Sequence, residues 1–207
     1  GNPFAVIADW LTTVVDPLVE KGKVRWATFS EMADAFLKWE KENPGAAPRE
    51  TPARLSGTIS FVLNVHDWRN VDESAETLLR AIAIFEKHKV KGDFYLTAQM
   101  AEAYSEKRPD VIRRLKESRM TISYHTRAPH PLRAGFDGVL KGLDPEALEK
   151  AVRDYETYRL DLRTGELDRS RPGGYALVAK VFGSAPIAVG ESSGDRRSAG
   201  IDESCSG

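Results

Sequence analysis

Three of the four histidines in this chain stand at two places. Asn64-Val65-His66-Asp67-Trp68 closes one β-rich apolar run, and Tyr124-His125-Thr126-Arg127-Ala128-Pro129-His130-Pro131 closes another. If the two runs are parallel strands whose ends lie side by side, Asp67 comes within reach of His125 and His130. One carboxylate and two imidazoles make a facial set of three ligands for zinc or a similar divalent ion, with positions left for water and substrate. Water on such an ion ionises near neutrality and attacks a carbonyl carbon. His125 and His130 are not at helix-face spacing, so they would converge only across a turn, which Pro129 and Pro131 would help to fix. The same residues also have a plainer reading. A histidine at a strand end is often a hydrogen-bonded loop residue, and an aspartate there often caps a helix. The fourth histidine, His88, lies near a helix end among lysines and reads as a solvated surface residue.

The elements that must position these groups follow from periodicity. Phe4, Ile7, Leu11, Val14, Val15, Leu18 and Val19 recur at helical spacing over residues 2–22, with a kink or break expected near Asp16 because Pro17 interrupts the pattern. Residues 23–27 read as a short strand. Thr28 and Glu31 have capping-box form and open a helix that turns Met32, Ala35, Phe36 and Trp39 inward and ends before Pro44. Residues 44–57 read as a linker. Beyond it strand and helix alternate: a strand over 58–65, a helix over 73–88 with Leu78, Leu79, Ile82 and Phe85 inward, and a strand over 93–96. Two helices follow on either side of Pro109, then a strand over 120–124 and a loop to Gly142. Asp144-Pro145 opens a helix reaching about Leu160. A loop over 169–174, a helix over 175–182 and a strand over 187–189 complete the pattern. The tail over 190–207 is Ser, Gly and charge, expected to be disordered. Alternation of this kind predicts an α/β fold with a mainly parallel sheet, open or closed into a barrel, and chemistry at the C-terminal ends of its strands.

Composition removes several alternatives. The chain has 207 residues, 41% hydrophobic and 29% charged, enough apolar material for a core. Thirty basic and thirty-one acidic side chains leave a net charge of -1, which argues against a general nucleic-acid binder or a polybasic membrane binder. A single cysteine, Cys205, excludes an internal disulfide framework. No apolar run approaches the roughly 20 residues of a membrane span. The chain does not open on Met, so its first position need not be the natural start.

The segments GTISFVLNVHDW, KGDFYLTAQM, TISYHTRAPHP and SRPGGY follow in the order and rough spacing of the polysaccharide deacetylase family, the NodB homology domain, and cover about residues 57 to 190. This resemblance implies a distorted (β/α) barrel that removes acetyl groups from N-acetylated carbohydrate with one bound divalent metal ion, zinc or similar. It places Asp67, His125 and His130 on the metal ligands and His66 on the general base, where the family has Asp. It sets Arg171 of Arg171-Pro172-Gly173-Gly174-Tyr175 where an arginine steadies that base. Trp68, beside the implied metal, and Tyr175 are the candidate sugar contacts. Trp10, Trp26 and Trp39 read as core.

The departures are specific. His66 replaces the acidic base, though an imidazole can also accept a proton. Trp68 replaces a glycine, the His125–His130 spacing is one residue longer than the commonest form, and the late motifs are absent. Residues 1–43 resemble the closing helix–strand–helix unit of such a barrel placed first, so an incomplete or circularly permuted domain is expected. About five strands are too few to close the family's barrel. The leading expectation is therefore a metal-dependent carbohydrate amidase or esterase. Set against it are a catalytically silent relative that binds a glycan or partner, and a truncated piece without activity. Arg127 and Arg133 could receive an anionic substrate or simply be solvated. Tyr155, Glu156, Tyr158, Arg159 and Asp161 read as a polar helix surface with i,i+4 pairing.

Overall fold

The computed structural model describes residues 3–44, 57–133 and 135–190. The expected linker and tail lie, apart from their edge residues, outside the described residues. The first helix runs as α1 (Pro3–Trp10), a π-helical turn (Leu11–Val15) and α2 (Asp16–Glu20). Pro17 has no N–H to offer the preceding turn, and the wide turn just before it absorbs the defect without breaking the helix. Leu11 and Val15 are buried, whereas Val6, Trp10 and Val14 lie on an uncovered face. Trp10 is thus 41% exposed rather than core, and meets Phe61 edge-on.

The chain then forms β1 (Val24–Trp26), with Trp26 buried, and α3 (Phe29–Glu42). The expected capping box is present: Thr28 Oγ1 accepts from the Glu31 N–H, and Glu31 Oε2 accepts from the Thr28 N–H at 2.8 Å. The inward face expected of α3 is not realised among the described residues. Ala35 and Phe36 are exposed, and Phe36 stacks on its helix neighbour Trp39.

The run from Gly57 to Val65 is divided between two partners. β2 (Gly57–Ile59) pairs with β1 and β3 (Phe61–Val65) pairs with β4 (Gly92–Leu96), both parallel. At the break, Ser60 Oγ donates to the buried Asp93 carboxylate at 2.7 Å. Between β3 and β4 lies α4 (Val71–Lys87), with Leu78, Ile82 and Phe85 buried as the spacing predicts. α5 (Ala98–Lys107) and α6 (Pro109–Glu117) flank Pro109, and β5 (Thr121–His125) follows. α7 (Pro145–Thr157) comes next, capped by Asp144. The helix stops three residues short of the expected Leu160. Tyr158–Leu160 is instead β6, paired antiparallel with β7 (Leu167–Pro172), so most of the stretch expected as a loop over 169–174 is strand. The turn between them is tied by Gly165 N–H to Asp161 O and by Arg163 N–H to the Asp161 carboxylate. α8 (Gly174–Phe182) and β8 (Val189–Gly190) complete the described chain.

The result is an α/β protein whose main sheet is parallel, in the order β3-β4-β5-β8. β4 is central, and all five of its residues are buried. Its Phe94 and Leu96 share one core with Ile82, Phe85, Met100 and Tyr104, and with Leu11 and Val15 of the first helix. Among the described residues no helix is long and apolar enough to cross a membrane.

Candidate active site

Because β3, β4, β5 and β8 all run the same way, their C-terminal ends share one rim. Val65, Leu96, Tyr124 and Val189 are in register across the sheet. The next row is therefore His66, Thr97, His125 and Gly190. Thr97 turns its hydroxyl to the Met100 N–H and caps α5. Two strand spacings, roughly 9–10 Å, separate the backbones of His66 and His125, yet their rings lean together over Thr97 to a centroid distance of 5.9 Å.

His125 is 5% exposed, and its Nδ1 lies 3.2 Å from the Gly190 carbonyl. A carbonyl can only accept, so Nδ1 carries the proton and Nε2 presents a lone pair. Nε2 is buried without a hydrogen-bond partner among the described residues. Burial first, then the neighbouring His66, Arg133 and Arg127, hold this imidazole below its ordinary pKa against the opposing Gly190 bond. His66 is shifted the same way, first by burial and then by Arg127, with Asp67 opposing. Both rings are therefore neutral at pH 7, and each can take up a proton.

The three ligands expected for a divalent ion are not brought together. His130 is buried and fully committed: Leu132 N–H donates to its Nδ1 at 3.2 Å, and its Nε2–H donates to the buried Glu156 carboxylate at 2.6 Å. It has no lone pair left to give a metal. Glu156 uses its other oxygen to accept from the Tyr175 N–H at 2.8 Å, tying the loop after β5 to the start of α8. Asp67 is exposed and accepts from both the backbone N–H and the side-chain amide of Asn70, which hold its carboxyl below the usual carboxylate range. It thus ties the β3–α4 turn, the plainer of the two readings. Among the described residues no three His, Cys, Asp or Glu side chains converge as a metal site. The donor set does not fit the implied ion.

Two of the clefts at the rim share Pro129 and Leu162. The first, of about 280 Å³, is lined by His125, His130, Arg127, Glu102 and Arg159 with residues 160–163 of the β6–β7 turn. The second, of about 460 Å³, is lined by His66, Asp67, Trp68, Arg69 and Phe136. Trp68 is half-buried there, with the Arg69 guanidinium 5.7 Å from its ring centre, so one of its faces is covered by a cation. Arg171 pairs with Glu102 at 3.0 Å, not with a base, and Glu102 also accepts from Arg159 Nε at 2.7 Å. Tyr175 packs edge-on against Tyr124 and donates its hydroxyl to the Pro186 carbonyl, so it is a packing residue.

A scan against protein-family models and searches of curated proteins and of solved structures return no match to this chain. The resemblance to deacetylases therefore stands on its short motifs alone.

Glu156 is the residue that sequence reasoning misplaced. Leu148, Val152 and Glu156 follow at i, i+4 and i+8, and Val152 is fully buried, so that stripe already put Glu156 on the inner face. His88 is also corrected: its side chain is buried, and Nδ1 meets the Asp16 carboxylate at 2.8 Å.

Proposed function

We propose that this protein is an acyl hydrolase of the deacetylase type, acting on an amide or ester of a carbohydrate. The observation that carries the reading is the pair of imidazoles, His66 and His125, whose ring centres stand 5.9 Å apart at the strand ends. His66 accepts a proton from water as the water oxygen attacks the acyl carbon, and the resulting imidazolium returns that proton to the departing amine or alcohol. His125 Nε2 accepts a hydrogen bond from a substrate hydroxyl. Because the implied donor set is not assembled, no step is assigned to a metal. The reading extends to the fold: the parallel sheet, with β1 and β2 beside it, is an arc of a deacetylase-type (β/α) barrel, incomplete or permuted.

The test is acetate release from acetylated oligosaccharides, measured with and without added zinc. His66→Gln should lower kcat/KM by about 10²–10⁴-fold, and His125→Gln by about tenfold through the loss of one substrate hydrogen bond, while the fold is retained. Parent protein that releases no acetate under either condition would overturn the hydrolase reading. A second reading, glycan binding without turnover, is favoured by the engagement of His130 with Glu156 and of Asp67 with Asn70. It predicts binding of the same oligosaccharides with no acetate released even when zinc is supplied.

A further inference from the structure

The charges around the smaller cleft are unevenly satisfied. Arg159 is held by Glu102, which also takes Arg171 from outside the cleft. Arg127 and Arg163 line the same cleft and are exposed, and among the described residues neither guanidinium has an ion pair or a hydrogen bond. Asp161 feels the field of Arg163 but spends its carboxylate on the Arg163 and Thr164 backbone N–H groups. Exposed arginines alone are commonplace. Here they line the same cleft as a buried side chain, His125, whose Nε2 lone pair has no partner among the described residues. A buried acceptor left unsatisfied is costly, so its partner is expected to come with a ligand. Two free guanidiniums and one buried acceptor together match a molecule that carries both an anionic group and a hydroxyl. At about 280 Å³ the cleft is near the lower end of small-molecule sites, roughly 300–1,000 Å³.

We propose that this cleft binds a sugar bearing an anionic group, a carboxylate or a phosphate, with the anion on Arg127 and Arg163 and a ring hydroxyl donating to His125 Nε2. This rests on the carbohydrate reading of the same rim and names its substrate class. Guanidinium forks favour such anions because two parallel N–H donors meet two oxygens.

Calorimetric titration of the full chain with D-glucuronate, glucose 6-phosphate and glucose tests it. Saturable binding of either anionic sugar at least tenfold tighter than glucose is expected, weakened by added salt. Tighter binding of one anion than the other identifies the group as carboxylate or phosphate. Arg127→Gln and Arg163→Gln should each cost the anionic sugar tenfold or more, Arg127→Lys should restore part of the loss, and Arg80→Gln on the outer face of α4 should change nothing. Equal affinity for glucose, or unchanged affinity in both Gln variants, overturns the proposal. Acetate release from neutral oligomers of N-acetylglucosamine, measured alongside, separates the two readings. Release with no preference for anionic sugars in binding sinks this inference and leaves the hydrolase standing. Selective anion binding with no release from any acetylated sugar does the reverse.

Discussion

At the scale of single residues, His66 and His125 differ in their access to solvent but share one electrostatic problem. Burial first, His125 buried and His66 half-buried, and then the neighbouring Arg127 make each hold a proton less readily than it would in the unfolded chain. The consequence for stability has a definite sign. Below the ordinary imidazole value of about 6.5 the unfolded chain binds protons that the folded chain does not, so stability falls as pH drops from about 6.5 toward the lowered folded values. Above about 6.5 this contribution is fully kept. Chemical denaturation at a series of pH values between 8 and 5 should show that decline, and the double variant His66→Gln, His125→Gln should flatten it. A slope that survives the double variant unchanged would assign the effect to other groups. His130 shows how a histidine can look like a ligand and act as a brace. Its two nitrogens are consumed by Leu132 and Glu156, and the carboxylate it holds reaches on to Tyr175.

At the scale of elements, the stretch Arg171-Pro172-Gly173-Gly174-Tyr175 joins β7 to α8, and its glycines are required by close approach rather than by catalysis. Gly174 has φ +46°, and a Cβ there would lie 2.5 Å from both Glu156 Cα and Glu156 Oε2. The helix start can therefore dock on the end of α7 only without a side chain. Gly174→Ala should destabilise the fold by about 1–3 kcal/mol, with the start of α8 displaced from Glu156. Urea midpoints measure the first effect, and amide exchange at Tyr175 the second. An unaltered midpoint together with unaltered Tyr175 protection would remove the close-approach argument. The β6–β7 hairpin shows what local pattern conceals. Tyr158 and Leu160 continue the apolar rhythm of α7, so the helix appears longer in sequence than it is. Its end is set by the pairing of Leu160 with Leu167 and Tyr158 with Pro172.

At the scale of the molecule, residues from the first helix and from the βα alternation share one core. Leu11 and Val15 are buried in the same cluster as Ile82, Phe85, Phe94 and Leu96, and the buried His88 reaches Asp16. Leu11→Ala should therefore lower the stability of the entire fold by about 2–5 kcal/mol, read as one shifted transition by far-UV and near-UV signals together. An early separate transition confined to the first helix would show that the two parts unfold independently.

What the sequence determined by itself was the alternation of helices with the strands of the main sheet, and the rim at their ends. Helical and strand periods, the Thr28 and Asp144 caps and the flanking prolines act over a few residues, so they are written locally; they placed His66, Asp67, His125 and His130 just at or beyond the ends of strands. Which of these groups face one another was decided only by tertiary structure. His130 meets Glu156 from 26 positions away, Arg159 meets Glu102 from 57, and His88 meets Asp16 from 72. Such partners are chosen by close packing of distant segments, where each buried polar atom must find whatever donor or acceptor the fold brings to it. That selection turned a three-ligand pattern into a facing pair of imidazoles, a helix-turn tie and a buried brace.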